Sequence, residues 1–133
     1  MKRLAYQAQH SRLSLASGLD DYYAGNPGLL STRGLDEVAR AFFRAHDVAH
    51  VVFGCGTSLT DEAIVKMWSF FGTTGGFGLL RGYRLAESQE IYERIPIGDV
   101  VSTSLRSVSL APRVILRAHR MRRRWPWDCL LYT

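Results

Sequence analysis

Residues 35–71 read LDEVARAFFRAHDVAHVVFGCGTSLTDEAIVKMWSFF and predict two consecutive helices. In the first, over residues 35–53, apolar side chains recur at intervals of three and four, as on one face of a helix. These side chains are Leu35, Val38, Phe42, Ala45, Ala49 and Val52 or Phe53. Gly54 ends this helix, and a hydroxyl side chain at position 58 or 60 can cap a second helix over about residues 59–71.

The rest of the chain also predicts helices. One covers residues 10–24 and is stopped by the Gly-Asn-Pro-Gly turn that follows it. Five glycines between residues 72 and 82 predict a turn, followed by a helix through Glu93. Asp99 can cap a helix over VVSTSLRSVSL, although its β-branched residues suit a strand equally well. Pro112 then starts a final basic helix that runs to about residue 125. We therefore predict an all-α fold.

Length and composition fit one compact multi-helix domain over residues 1–133. The chain is 47% hydrophobic and 22% charged, as in an ordinary soluble protein, and two separate cores would each be too small to offset the entropy of ordering the backbone. Cys55 and Cys129 form no paired motif and are expected to be free thiols. The N-terminal segment lacks the features of a secretory signal, and no apolar run approaches the roughly 18 residues that span a bilayer. We therefore expect a cytoplasmic protein.

Four polar side chains of the two central helices can converge on one divalent metal ion. On a helix with about 3.6 residues per turn, His50 lies about 40° and Asp47 about 100° around from His46, so all three project over one side. Glu62 follows from the first turn of the second helix, once the turn at Gly54 folds that helix back. This donor set suits Zn²⁺ and would also accept Fe²⁺, Mn²⁺ or Co²⁺. No flavin or nucleotide fingerprint is present, so a metal is the cofactor that the sequence predicts.

Two other interpretations of the same residues stay open. A His-x-x-x-His pair on a helix is common, and Asp47 could simply pair with Arg40 or Arg44 on the surface. The run His-Asp-x-x-His also resembles the zincin motif His-Glu-x-x-His, in which the acid between the histidines is a general base and Glu62 would be the third ligand. That interpretation predicts a metallohydrolase, although Asp is one methylene shorter than the zincin Glu.

The segment from His46 to Lys66 resembles the signature of the coenzyme Q biosynthesis protein 4 family, which is His-Asp-x-x-His, eleven further residues and Glu. Neighbouring features of that family are also present: a Gly four residues after the second His (Gly54), a Thr soon after it (Thr57), and Ala-x-x-Lys following the Glu (from Ala63). The match is specific over about twenty residues. Family members are considerably longer, and the close RRRWPWDCLLYT differs from their tyrosine- and glutamate-containing close.

By this resemblance the protein is all-helical, and it binds a divalent metal, usually zinc, through His46, Asp47, His50 and Glu62. The resemblance also implies an isoprenoid-lipid cavity at the membrane face and a role in ubiquinone biosynthesis. The activity attributed to the family is oxidative decarboxylation at C1 of the polyprenylated aromatic precursor, in which a hydroxyl group replaces the ring carboxylate. An older interpretation makes the family a non-catalytic scaffold, with other quinone-biosynthesis proteins or a second copy of the chain as partners.

Positive charge is concentrated in the C-terminal part of the chain. The net charge is +5, and between Asp99 and Asp128 there is no acidic residue but a run of seven arginines: Arg106, Arg113, Arg117, Arg120, Arg122, Arg123 and Arg124. Beside them the final predicted helix has an apolar side of Val114, Ile115, Ala118 and Met121. This pattern predicts a peripheral helix on an anionic membrane surface, with a solvated basic face as the alternative. We do not expect nucleic acid as a partner, because the rest of the chain is net acidic.

Overall fold

Four α-helices make up most of the computed structural model, which describes residues 3–29, 35–85, 93, 95–120 and 125–126. In chain order they are α1 (Leu15–Gly25), α2 (Glu37–Phe53), α3 (Leu59–Gly72) and α4 (Ile97–Arg120). Two 3₁₀ helices are also present among the described residues, at Ala5–Gln7 and at Gly76–Arg84. Within the described ranges there is no β-strand, only an isolated bridge between Thr73 and Trp125. The prediction of an all-α fold is confirmed.

The two central helices begin and end within two residues of the predicted positions. Asp36 caps α2 by accepting a hydrogen bond from the Ala39 backbone N–H at 2.7 Å. Gly54 ends α2 in the left-handed conformation, with a φ of 64°. At the start of α3 the Ser58 side chain accepts a hydrogen bond from the Asp61 backbone N–H at 3.2 Å. Because both ends are capped locally, the connection is short and α3 folds back against α2.

Two apolar clusters hold the helices together. One is formed by Ala49, Cys55 and Val65, and around it pack Phe53, Ile64 and Trp68. The rings of Phe53 and Trp68 stack with their centroids 4.8 Å apart. The other is formed by Phe42, Ala45, Val48 and Leu79, with Leu15 and Leu19 of α1 packed against it. Burial of each of the larger side chains contributes about 1.5–3 kcal/mol, so these clusters fix α1 and α3 against α2.

The structure of α4 corrects the sequence-based prediction. The sequence predicts a helix break at Pro112 and a possible strand before it, whereas residues 97–120 form one helix with Pro112 inside it. Ser107, Val114 and Ala118 are buried on one face of α4, which packs along α3. A break at Pro112 would divide this face, so packing outweighs a proline cost of about 3 kcal/mol. Val114 and Ala118, expected on a membrane-facing side, are 7% and 3% exposed and belong to the core.

Smaller differences concern the ends of the other elements. The first helix begins at Leu15 and not near His10, because Ser14 accepts a hydrogen bond from the Ser17 backbone N–H. The glycine-rich segment forms the 3₁₀ helix Gly76–Arg84, and most of its predicted continuation through Glu93 lies outside the described residues. The predicted end of the basic helix and Cys129 also lie outside them. Cys55 is a free, buried thiol, as expected.

Candidate metal centre

Three of the four predicted ligands form a compact triangle where α2 and α3 meet. The Nε2 atom of His46 lies 3.1 Å from Oε2 of Glu62, and the Nε2 atom of His50 lies 3.2 Å from Oε1 of Glu62. The two Nε2 atoms are 3.1 Å apart. The side chain of His50 is fully buried, while that of Glu62 is 30% exposed. The structure therefore brings His46, His50 and Glu62 together as a group that could hold a metal ion.

Local geometry explains this convergence. His46 and His50 are four residues apart on α2, so their rings lie one turn apart on the same side, with centroids separated by 4.7 Å. Glu62 stands in the first turn of α3, where its backbone N–H donates to the Ser58 carbonyl at 2.8 Å. At Gly54 the positive φ would strain any residue with a Cβ. That glycine therefore allows the reversal that carries Glu62 to the histidines.

The donor set fits a divalent cation. Two neutral imidazole nitrogens that face each other can share only one proton, and an ionised carboxylate offers acceptors alone. A cation would satisfy all three groups at once. Ligands about 2.0–2.1 Å from a tetrahedral zinc ion lie about 3.3 Å from one another. The two Nε2 atoms, 3.1 Å apart, are close to that value, and one donor atom from each of the three residues lies within 4.8 Å of the others.

Tyrosine side chains from other elements hold the two imidazole rings. Tyr22 of α1 stacks on His50, with ring centroids 5.4 Å apart and an interplanar angle of 25°. The hydroxyl oxygen of Tyr83 lies 3.3 Å from Nδ1 of His46. An outer hydrogen bond of this kind fixes the tautomer and the orientation of a metal-binding histidine. The rings are therefore oriented by contacts beyond the donor atoms themselves.

Electrostatics make the triangle a site that attracts positive charge. Burial by itself would raise the pKa of Glu62, but the hydrogen bonds and charges of His46 and His50 hold that pKa well below its usual range. Burial by itself would lower the pKa of His50, but Glu62 outweighs it and the net pKa is raised, with help from Asp47 and the Gly56 backbone. Nδ1 of His50 is buried without a hydrogen bond of good geometry in the described part of the chain, so the Gly56 interaction is weak. Protons and a cation therefore compete for the same atoms.

Asp47 lies beside the triangle and is engaged by two tyrosines. Its Oδ2 accepts a hydrogen bond from the Tyr23 hydroxyl at 2.9 Å, and its Oδ1 lies 3.5 Å from the Tyr22 hydroxyl. Burial raises the pKa of Asp47, and the Tyr23 hydrogen bond acts in the opposite direction. The group of converging donors does not include Asp47. Its roles as a fourth ligand and as a general base both stay predictions.

A cavity of about 810 Å³ borders the triangle. His46 and Glu62 form part of its wall, together with Asp47, Lys66 and Tyr83. The apolar lining comes largely from α2, α3 and α4, and includes Phe42, Phe43, Leu59, Met67, Val100 and Val108. A ligand in this cavity would therefore have its polar end at the donor atoms and apolar walls around the remainder.

The sequence predicts the donor residues but not the side chains that orient them. Phe42 stacks on His46 with centroids 6.2 Å apart, and Tyr83 approaches the same ring from the 3₁₀ helix Gly76–Arg84. Helical spacing of four residues links Phe42 to His46 on α2, whereas no spacing rule links Tyr83 to the histidine motif. One available signal is Gly82, where an added Cβ would collide with the Phe42 ring. That glycine lets the 3₁₀ helix approach α2 closely.

The fold and the site define a small all-α protein with a candidate centre of two histidines and one carboxylate in the wall of an apolar cavity. Comparisons with protein-family models, with curated proteins and with solved structures found no match. The family resemblance is carried by the motif in residues 46–66.

Proposed function

We propose that the protein is a metal-dependent enzyme of ubiquinone-type quinone biosynthesis, which binds a polyprenylated aromatic acid and carries out oxidative decarboxylation at C1 of its ring. The observation that carries the proposal is the convergence of His46, His50 and Glu62 in the wall of a mainly apolar cavity. The motif resemblance supplies the pathway and the substrate class. Asp47 is the candidate fourth ligand.

The size and lining of the cavity support an amphiphilic aromatic ligand. Small-molecule sites typically measure about 300–1,000 Å³ and are lined mainly by apolar side chains with a few polar groups. The cavity of about 810 Å³ lies in the upper part of that range. Phe42, Phe43 and Tyr83 offer ring faces to an aromatic head group. Leu59 and Met67 offer the adaptable apolar surface that suits an isoprenoid chain.

The residues around the cavity have separate proposed tasks. A bound divalent metal would supply Lewis-acid chemistry toward the ring carboxylate or the adjacent phenolic oxygen. Tyr83 keeps His46 oriented through Nδ1, and Tyr23 keeps Asp47 beside the donor triangle by donating a hydrogen bond to its Oδ2. The apolar walls exclude water from the ring. Replacing a carboxylate by a hydroxyl group is a two-electron oxidation. We assign both electrons to O₂, which is reduced to H₂O₂ while water supplies the hydroxyl oxygen and CO₂ leaves, because the sequence has no flavin or nicotinamide fingerprint.

Turnover of a short-chain analogue tests the proposal. Protein reconstituted with Fe²⁺ or Zn²⁺ is expected to convert geranylated para-hydroxybenzoate under air into a product that has lost CO₂ and gained a hydroxyl oxygen from labelled water, measured by mass spectrometry, with an equal amount of H₂O₂ formed. Glu62→Gln should reduce the rate by at least about 100-fold, since even outer partners of metal ligands are worth about 10–100-fold. Glu37→Gln, an exposed acid on α2, is the control and should keep the rate.

Failure of this experiment has two distinguishable forms. Binding of the analogue to metal-loaded protein without product would reject catalysis and leave the lipid-binding function. Neither binding nor product would reject the substrate class itself.

A non-catalytic lipid-binding scaffold is the second candidate function. It is favoured by the location of the donors, because His46 and His50 stand on α2 and Glu62 on α3, so a metal could serve only to tie two helices together. A metallohydrolase is a third candidate, and the observation that favours it is the place of Asp47 beside the donor triangle and in the cavity wall. Hydrolysis of an ester probe without O₂ would distinguish the hydrolase from both other candidates.

We further propose that α4 brings the protein to an anionic membrane surface. Apolar side chains that are 52–82% exposed follow one side of this helix: Ile97, Val101, Leu105, Val108 and Leu116. Exposed basic side chains follow a neighbouring side: Arg113, Arg117 and Arg120. Val108 also lines the cavity, so the apolar side reaches its rim. Apolar and basic sides together suit the interfacial region of a bilayer. Among the described helices, none is long and apolar enough to cross a membrane.

Leu105→Glu is expected to weaken vesicle binding. Leu105 is 71% exposed, so the substitution spares the core but puts a carboxylate on the apolar side of α4. Cosedimentation with phosphatidylglycerol-rich vesicles should become weaker by about tenfold or more, through lost apolar burial and charge repulsion. Val38→Glu on α2, at 68% exposure, is the matched control and should bind as wild type does. Equal binding by both variants, or no binding by the wild type, would contradict the membrane proposal.

A further inference from the structure

Lys66 brings a positive charge to the cavity beside the candidate metal centre. It stands one helical turn after Glu62 on α3, and both side chains line the cavity. Among the described residues of the lining it is the single lysine or arginine. The two oxygens of Glu62 each contact an imidazole nitrogen, and the charge of Glu62 also acts on Lys66.

The ammonium group of Lys66 and the candidate metal centre have a common neighbour, Tyr83. Its Nζ lies over the ring of Tyr83, 5.2 Å from the ring centroid, and the hydroxyl of the same tyrosine contacts His46. Tyr83 therefore contacts both the ammonium of Lys66 and the donor triangle. Burial lowers the pKa of Lys66, while the charge of Glu62 works in the opposite direction. A cation in the wall of a mainly apolar cavity favours a ligand that carries a negative group.

We propose that Lys66 binds the oxyanion head group of the molecule held in the cavity, a carboxylate or a phosphate, and so selects an amphiphilic anion over its neutral analogue. The inference rests on the proposed function, because it names the part of the cavity ligand that is recognised. In this arrangement the head group lies between the ammonium and the donor triangle, and the apolar remainder lies against the walls from α2, α3 and α4. The alternative is a lysine that only packs on Tyr83 and pairs along the helix with Glu62.

Three simple probes test the inference on zinc-loaded protein by isothermal titration calorimetry: dodecanoate, dodecyl phosphate and the neutral methyl dodecanoate, each below its micellar concentration. Lys66→Met keeps the apolar stem and removes the charge. It should weaken binding of both anions by about tenfold or more and leave the ester within about twofold, because a charge-assisted hydrogen bond is lost. Lys66→Arg should retain most of the affinity for the anions. Arg81→Met, at an exposed position on the 3₁₀ helix, is the matched control and should behave as wild type.

The outcomes separate this inference from the function on which it rests. Equal loss of anion and ester affinity in Lys66→Met, with no recovery in Lys66→Arg, would overturn it and leave a packing role. Unchanged anion affinity in Lys66→Met would also overturn it, while the cavity function stands. If the wild type binds none of the probes, the inference falls together with the proposed function. Zinc content and unfolding temperature verify that Lys66→Met is folded, and Lys66→Gln replaces it if it is not. In the confirming case, the anion bound more tightly identifies the head group.

Discussion

Glu62→Gln is expected to abolish stoichiometric zinc binding. The substitution keeps the size of the side chain but removes the charged donor that contacts the Nε2 atoms of His46 and His50. A neutral amide is a poor substitute for a carboxylate ligand, and the affinity should fall by more than about 100-fold. After zinc loading and dialysis, elemental mass spectrometry should find about one equivalent in the wild type and less than about 0.1 equivalent in the variant.

Two further variants make the measurement specific. Glu37→Gln removes an exposed acid from the first turn of α2 and should keep a full equivalent of zinc. Asp47→Asn tests the fourth ligand: a loss of zinc comparable to that of Glu62→Gln would make Asp47 a ligand, and full retention would leave it as the partner of Tyr23. A full equivalent of zinc in Glu62→Gln, or none in the wild type, would contradict the candidate site.

Removal of the metal by a chelator is expected to lower the unfolding temperature of the wild type by about 12–20 °C. An ion present at a thousand times its dissociation constant stabilises the folded state by about 4 kcal/mol. For a chain of this length, each kcal/mol corresponds to roughly 3–5 °C. The physical cause is that His46 and His50 on α2 and Glu62 on α3 converge only in the folded state. Differential scanning calorimetry with zinc and with chelator measures the difference.

The same experiment separates the enzyme from the scaffold. The apolar cluster around Ala49 and Val65 holds α2 against α3 without any ion, so an enzyme of this fold should stay helical at 25 °C after chelation, as measured by far-ultraviolet circular dichroism. Loss of the helical signal at that temperature would indicate a structural metal, as the scaffold predicts. The unfolding temperature of Glu62→Gln should not respond to zinc. An equal response in variant and wild type would show that the stabilising ion binds elsewhere.

Local features of the sequence are enough to predict α2, α3 and the donors that they carry. The ends of these helices are set by the caps Asp36 and Ser58 and by the left-handed Gly54. Each acts within one turn of its own position, so nearby residues in the sequence are enough to predict its effect. The four-residue spacing of His46 and His50 likewise fixes their relative direction on one helix. Glu62 lies near the two histidines because the short turn after Gly54 brings α3 back alongside α2.

Tertiary structure alone decided which groups surround these donors. The partners of His46 and Asp47 are Tyr83 and Tyr23, which are distant in sequence and meet the site only because their elements pack on α2. Pro112 is a second case in which tertiary packing overrides a local rule. The proline predicts a helix break, but burial along α3 keeps α4 continuous. Sequence periodicity determines which face of a helix is apolar, but it does not determine which other element packs against that face. The donor motif could therefore be predicted from the sequence. The cavity, the tyrosine contacts and the exposed side of α4 depend on the free energy of packing the described helices together.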